Sequence, residues 1–198
     1  MFHDIATDDV FRLETRRLWL RWPRLSDAAA IERYCANWEV ARRTAHIPHP
    51  YPKGSADRFV FAAREANSLG RDLTLALAPL NAPGKAIGAI SLEHRGAERL
   101  TLGYALAPEV WGRGFATEAV AAVIAAAFAL SHVGEIEASV QVDNAASRRV
   151  LEKAGFAHDG RALRGAPARG AMVECDVFSY KRAQWMARDE ASTLEAAR

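Results

Sequence analysis

Apolar residues along this chain change their period several times, and the changes divide it into elements. Leu18-Trp19-Leu20-Arg21-Trp22 is short, rich in leucine and aromatics, and broken by Pro23, which predicts an opening strand. Ser26 or Asp27 is placed to cap a helix running to about Cys35. Asn37 to Pro52 reads as helix and then loop. From Ser55 a second amphipathic helix carries Phe59, Phe61, Ala62 and Ala66 and stops at Gly70. Three strand-like runs follow, Leu73 to Leu80, Ala86 to Glu93 and Arg99 to Leu106. The turn sequences between them, Asn81-Ala82-Pro83-Gly84 and the stretch near Gly96, are short, which predicts an antiparallel meander.

After Trp111 the pattern turns helical. Phe115 to about Leu130 is apolar nearly all round, so the helix it predicts is covered on several sides. Glu135 to Val142 reads as a strand, and Asn144 to about Lys153 as a helix stopped by Gly155. Gly165 to Gly170 reads as a turn, Glu174 to Tyr180 as a last strand, and 187–198 as a peripheral tail. The order strand, two helices, three strands, helix, strand, helix, strand predicts one α+β domain over 1–198, built on a mixed sheet.

Composition narrows the class. Half of the 198 residues are hydrophobic, a quarter are charged and the net charge is +2. That balance suits one well-filled core and argues against nucleic acid as a bulk partner. The apolar run Ala119 to Leu130 is shorter than the ~20 residues a membrane span needs, and Met1 to Val10 lacks the apolar segment of a signal peptide. The expectation is a cytoplasmic protein with no membrane partner. Cys35 and Cys175 form no metal-type spacing and read as buried thiols, so no metal is expected.

The chemistry concentrates in Gly103-Tyr104-Ala105-Leu106-Ala107-Pro108-Glu109-Val110-Trp111-Gly112-Arg113-Gly114-Phe115-Ala116-Thr117-Glu118. A strand ends, a loop with two glycines follows, and a helix begins. The first turn of a helix presents unpaired N–H groups at its partially positive end, and glycine lets an anion approach the backbone. The segment therefore reads as an anion cradle, with Arg113 as a possible extra charge. It lacks the Gly-Lys-Ser/Thr of a nucleotide P-loop and the third glycine of a dinucleotide fingerprint. Downstream, Asn144 opens a helix as its N-cap, and Ser147 lies in the first turn.

These motifs, in this order, resemble the GNAT superfamily of N-acetyltransferases, and more closely its ribosomal-protein N-terminal acetyltransferase (RimJ/RimL-like) branch. The resemblance takes in Leu13-Glu14-Thr15-Arg16-Arg17-Leu18-Trp19-Leu20-Arg21, Pro48-His49-Pro50-Tyr51, Gly103-Tyr104, Trp111 to Ala119, Asn144-Ala145-Ala146-Ser147 and Gly155-Phe156. It implies a mostly antiparallel sheet with helices on both faces and a splay between the fourth strand, ending near Leu106, and the fifth, beginning near Ile136. It implies acetyl-CoA as acyl donor. The pantetheine arm would lie along Tyr104, Ala105 and Leu106, and the pyrophosphate on the amides of Trp111, Gly112, Arg113, Gly114, Phe115 and Ala116, with Thr117 beside them. Asn144 would bond the pantetheine or thioester end, Val110 or a neighbouring strand amide would polarise the carbonyl, and Ser147 would give a proton to the leaving thiolate. Two positions depart from the superfamily's pattern: Trp111 stands where Gln or Arg is common, and Leu151 where many members carry an acidic tyrosine.

A base is harder to place. The branch's glutamate after Gly-Phe matches Ala166, and the acidic residue before Gly-Tyr matches Thr101, leaving Glu93 and Asp176 as strand carboxylates. The expected reaction is direct attack of a primary amine on the thioester, without a covalent acyl-enzyme. An α-amine has a pKa near ~8 against ~10.4 for lysine, so a poor base suits a protein N-terminus better. Alternatives are an aminoglycoside or polyamine acceptor, or a non-catalytic acyl-CoA-binding protein. Trp38, His46, His49 and Tyr51, with the segment Arg161 to Arg169, are the candidate acceptor-pocket residues. The assembly is expected to be a monomer or a homodimer, without direct nucleic-acid contact.

Overall fold

The computed structural model describes residues 11–96 and 98–188. The readings of Met1 to Val10 and of the tail beyond residue 188 lie outside them. Eight strands form one sheet: β1 (Arg12–Glu14), β2 (Leu18–Arg21), β3 (Leu73–Pro79), β4 (Gly88–His94), β5 (Arg99–Leu106), β6 (Glu135–Gln141), β7 (Ala157–Ala166) and β8 (Ala171–Lys181). Their order is β1-β2-β3-β4-β5-β6-β8-β7. The helices are α1 (Ala28–Cys35), α2 (Trp38–Ala41), α3 (Ser55–Ser68), α4 (Phe115–Leu130) and α5 (Ala145–Ala154). Every strand pair is antiparallel except β5 with β6, which α4 connects as a crossover.

The two faces of the central sheet carry different residues, and strand alternation is the cause. Leu75, Leu77, Ile90, Leu92, Leu100 and Leu102 join Phe115, Val120, Val123, Ile124 and Phe128 of α4 in the main core. The opposite face is paved with small residues in cross-strand rows. Ala76, Ala89 and Ala105 form one row and Thr74, Ser91 and Gly103 the next. Glu93, Thr101 and Glu137 form the third. Over this face lie α1, α2 and α3, whose Ile31, Tyr34, Val40, Ala56 and Val60 make a smaller second core.

Three expectations need correction. Asp27 does not cap α1 with its side chain; its carboxylate takes both guanidinium nitrogens of buried Arg21, at 2.8 and 2.9 Å, and the amide of Arg24. A buried arginine needs that partner more than a helix end needs a cap. The second correction is β7. It spans residues whose alternation is masked by Asp159, Gly160, Arg161 and Arg164, and most of them are exposed. As the sheet's last strand, with a bulge between His158 and Gly160, it has no buried face to leave an apolar pattern. The opening element is likewise a hairpin, β1 with β2, rather than one strand. Both cysteines are buried, as expected.

Candidate active site

β5 and β6 pair only as far as Leu102 opposite Ala138. Beyond that point β5 stays with β4 out to Leu106 opposite Gly88, and β6 stays with β8 out to Gln141 opposite Cys175. The strands therefore diverge, and the edge of β5 from Gly103 to Leu106 has no strand beside it. A cleft of about 1440 Å³ opens in this gap.

The loop at its mouth is shaped by two glycines. Gly112 and Gly114 have φ of +72° and +77°, left-handed values that strain other residues. A Cβ on Gly112 would meet no atom within 4 Å, so the space in front of its backbone is open. Within the turn, the amides of Val110 and Trp111 bond to the carbonyls of Ala107 and Pro108, both at 3.1 Å. This corrects the expectation that Val110 and Trp111 offer free N–H groups. The amides from Gly112 to Thr117 find no acceptor among the described residues, because they precede the first helical bonds of α4. Trp111 instead anchors the loop, its Nε1–H donating to the Leu106 carbonyl at 2.8 Å. Arg113 does not line the cleft, and its guanidinium lies 5.4 Å from the Phe115 ring.

The N-terminal hairpin braces this loop. Arg17 donates to the Arg113 carbonyl at 2.9 Å, and Glu118 accepts from Thr15 Oγ1 at 2.7 Å, the Arg17 amide at 2.8 Å and Arg17 Nε at 2.6 Å. Burial pushes the Glu118 pKa up, but these bonds outweigh it and hold the carboxyl below its usual range. A depressed folded pKa means stabilisation that is present above the unfolded glutamate pKa and lost as pH falls through the folded value. Glu118→Gln should therefore lower the melting temperature at neutral pH, with the gap to wild type closing below about pH 4. A gap that stays constant down to that pH would show that the charge is not what these donors use.

Across the gap, Asn144 caps α5, its Oδ1 accepting from the Ser147 amide at 3.2 Å, and its NH₂ has no hydrogen-bond partner among the described residues. Ser147 Oγ lies 2.6 Å from the hydroxyl of Tyr104. Sequence reading placed only the backbone of Tyr104 here; its side chain reaches α5 because position 104 alternates onto the α4/α5 face of β5. Burial pushes the Tyr104 pKa up to about 12, against the lowering effect of the Ser147 bond. Its phenol therefore keeps its hydrogen near neutral pH, and either hydroxyl of the pair can be the donor. Leu151, at the position where many relatives carry a tyrosine, is wholly buried in the core.

Of the sequence-predicted cofactor residues, all but Arg113 line the cleft. The two candidate bases separate. Glu93 lines it, paired with Arg95 at 2.9 Å. Asp176 does not line it: it is 1% exposed and holds Arg148 at 2.9 Å, His158 at 3.1 Å and Arg161 at 3.2 Å. Burial raises its pKa, and those partners more than offset this, so the carboxyl sits low as a structural anion. Tyr51 and His46 line the cleft, whereas Trp38 and His49 pack on each other with ring centroids 5.2 Å apart, outside it.

The basic segment also divides. Arg164 lines the cleft, paired with Glu137 at 2.8 Å. Arg161 serves Asp176, and Arg169 donates to the carbonyls of Ala41 and Thr44, tying the loop after α2 to the β7–β8 hairpin. Arg42 ties the same loop to the start of α5 through Asp143 at 2.9 Å. Sequence reading missed Arg43, Arg58, Phe59 and Glu137 as lining residues; they come from the loop after α2, from α3 and from β6, and share no local motif.

Comparison with known proteins agrees with this geometry. The family model described as "Acetyltransferase (GNAT) domain" matches residues 17–157. The N-acetyltransferase YoaA of Bacillus subtilis, itself uncharacterised, is 35% identical over 91 residues, 46% of this chain and 50% of YoaA, so that match spans about half of the relative. The uncharacterised N-acetyltransferase p20 of Bacillus licheniformis is 27% identical over 188 residues, 87% of this chain and 97% of p20. The fold matches Mycobacterium smegmatis RimJ in complex with CoA-disulfide, with a TM-score of 0.76 and 24% identity over 90% of this chain and 89% of that one. No helix among the described residues is long and apolar enough to cross a membrane. With a family model matched over most of its length, a sheet splayed at the expected strands and a glycine loop opening α4, the chain belongs to the GNAT acetyltransferase family.

Proposed function

We propose that this acetyltransferase moves the acetyl group of acetyl-CoA to a protein N-terminal α-amine. The observation that carries the acceptor is that each carboxylate lining the cleft is held by arginine. Glu39 is held by Arg42 and Arg43, Glu93 by Arg95, and Glu137 by Arg164. A carboxylate occupied by an arginine is a feeble base for a lysine ammonium, whereas on the order of a tenth of an α-amine is already neutral at pH 7. Seven lysines and arginines line the cleft against three carboxylates, which disfavours aminoglycosides and polyamines.

The residues then take these roles. The amides from Gly112 to Thr117 bind the pyrophosphate, and the free edge of β5 from Tyr104 to Leu106 bonds the pantetheine arm in place of a ninth strand. The NH₂ of Asn144 orients that arm's far end. Glu93 takes the proton of the attacking nitrogen, directly or through water. Ser147 donates a hydrogen bond to the departing sulfur.

Acetyl transfer to peptides with a free or a blocked N-terminus, each with one lysine, tests the acceptor. Product is expected only on the free α-amine; equal rates through lysine would overturn the assignment. Glu93→Gln should lower kcat/KM most near pH 6.5 and approach wild type above about pH 9, where the α-amine deprotonates unaided. A uniform loss at every pH would remove Glu93 from proton transfer.

A further inference from the structure

The cleft extends beyond what a thioester requires. It runs between the sheet and the helices α1 and α3, where its walls are Ile31, Tyr34, Val40, Ile47 and Phe59. Its floor includes Thr74, Ala89, Ser91, Gly103 and Ala105, from the small-residue face of β3, β4 and β5. On the other face of the same strands the matching positions are leucine and isoleucine, and α4 packs directly on them. The depth of the cleft therefore comes from side-chain size on one face of one sheet, at the site that already holds the donor. A Cβ on Gly103 would come within 3.3 Å of Ser91 Oγ, so the floor there is as low as the chain permits.

Where it meets α1 and α3 this space is lined by no carboxylate, and Arg58 of α3 is the charged group beside Tyr51. Tyr34, Tyr51 and Cys35 line it, and burial raises the pKa of each, that of Cys35 to about 12. All three stay protonated near neutral pH and offer nothing to a second ammonium. The charged lining groups Glu93 and Glu137 stand in the third cross-strand row, each with its arginine.

We propose that the acceptor carries a large apolar group beside its reacting amine, in protein terms a first residue of leucine or phenylalanine size, seated between α1, α3 and the floor of β3 to β5. The inference rests on the N-terminal-amine reading. Burying the larger side chain against these walls favours it over alanine by the transfer of its extra methylenes.

The test is acetylation of lysine-free tripeptides whose first residue is leucine, phenylalanine, alanine or glycine, with a blocked peptide containing lysine alongside. Leucine- and phenylalanine-first peptides are expected to exceed alanine- and glycine-first ones in kcat/KM by about tenfold or more. Ala62→Phe, on an exposed position of α3 that lines the cleft, should erase most of that preference. Stabilisation of the variant by acetyl-CoA would show that it is folded. Alanine-first peptides reacting as fast as leucine-first ones, or a preference untouched by Ala62→Phe in the folded variant, would overturn this inference and leave the N-terminal reading standing. Acetylation of the blocked peptide alone would overturn both.

Discussion

Gly114→Glu is expected to weaken acetyl-CoA binding about 100-fold or more while leaving the fold intact. Three effects act together. The left-handed φ of +77° strains any side chain, by roughly 1–2 kcal/mol. The new Cβ would sit 3.3 Å from Arg17 Nη2, crowding the brace that holds the loop. The added carboxylate would then place a negative charge where six unpaired amides await an anion. A 100-fold loss corresponds to about 2.7 kcal/mol, more than backbone strain alone supplies. Gly114→Ala separates the terms: it keeps the strain and omits the charge, and about tenfold is the expected loss. Calorimetric titration measures both. Wild-type affinity in Gly114→Glu would mean that the loop is not the coenzyme's anion site.

Ser147→Ala should lower kcat roughly 100-fold with little change in acetyl-CoA affinity, the scale expected for losing a donor to developing negative charge. Tyr104→Phe should cost about tenfold by a different route. With the phenol of Tyr104 protonated and donating to Ser147 Oγ at 2.6 Å, one of the two directions this bond allows, the serine's own hydrogen is free to point into the gap. Phenylalanine fills the same space without that instruction. The double variant is therefore expected to match Ser147→Ala alone, since a positioning partner has no effect once its target is gone. Additive losses would separate the two hydroxyls. The pH profile gives a second check. With the Tyr104 pKa raised to about 12 by burial, wild type should show no activity limb from this group at ordinary alkaline pH. A limb near pH 10 that disappears in Tyr104→Phe would contradict the donor role of Tyr104.

The departures at Trp111 and Leu151 are each met by contacts with residues elsewhere in the fold. Trp111 contributes no cation to the loop, yet its indole pins the loop to the last carbonyl of β5 and carries Arg43 over its ring at 5.4 Å. The acid that many members draw from the position of Leu151 is proposed here to be Ser147, whose hydroxyl lies 2.6 Å from that of Tyr104 on β5. Neither substitution can be judged along the chain, because in each a contributing group, Arg43 or Tyr104, is distant in sequence. Asp176 teaches the opposite lesson. A carboxylate on a strand near a candidate site looked available, and two arginines and a histidine from α5 and β7 had already claimed it.

Local chemistry decided whatever depends on neighbours a few residues apart. The period of Phe115 to Leu130 and the glycines before it set a helix opening on a bare-amide turn, and Arg99 to Leu106 was bounded correctly because its alternation has a buried face. Turn residues likewise set the meander of β3, β4 and β5. Only the tertiary structure decided β7, an exposed strand with no apolar face, and the identity of the groups that meet across the cleft. Tyr104 and Ser147 are 43 positions apart, and Arg17 and Glu118 are 101 apart. Hydrogen bonds and ion pairs act over about 3 Å of space, so only the folded path of the chain determines which polar groups meet.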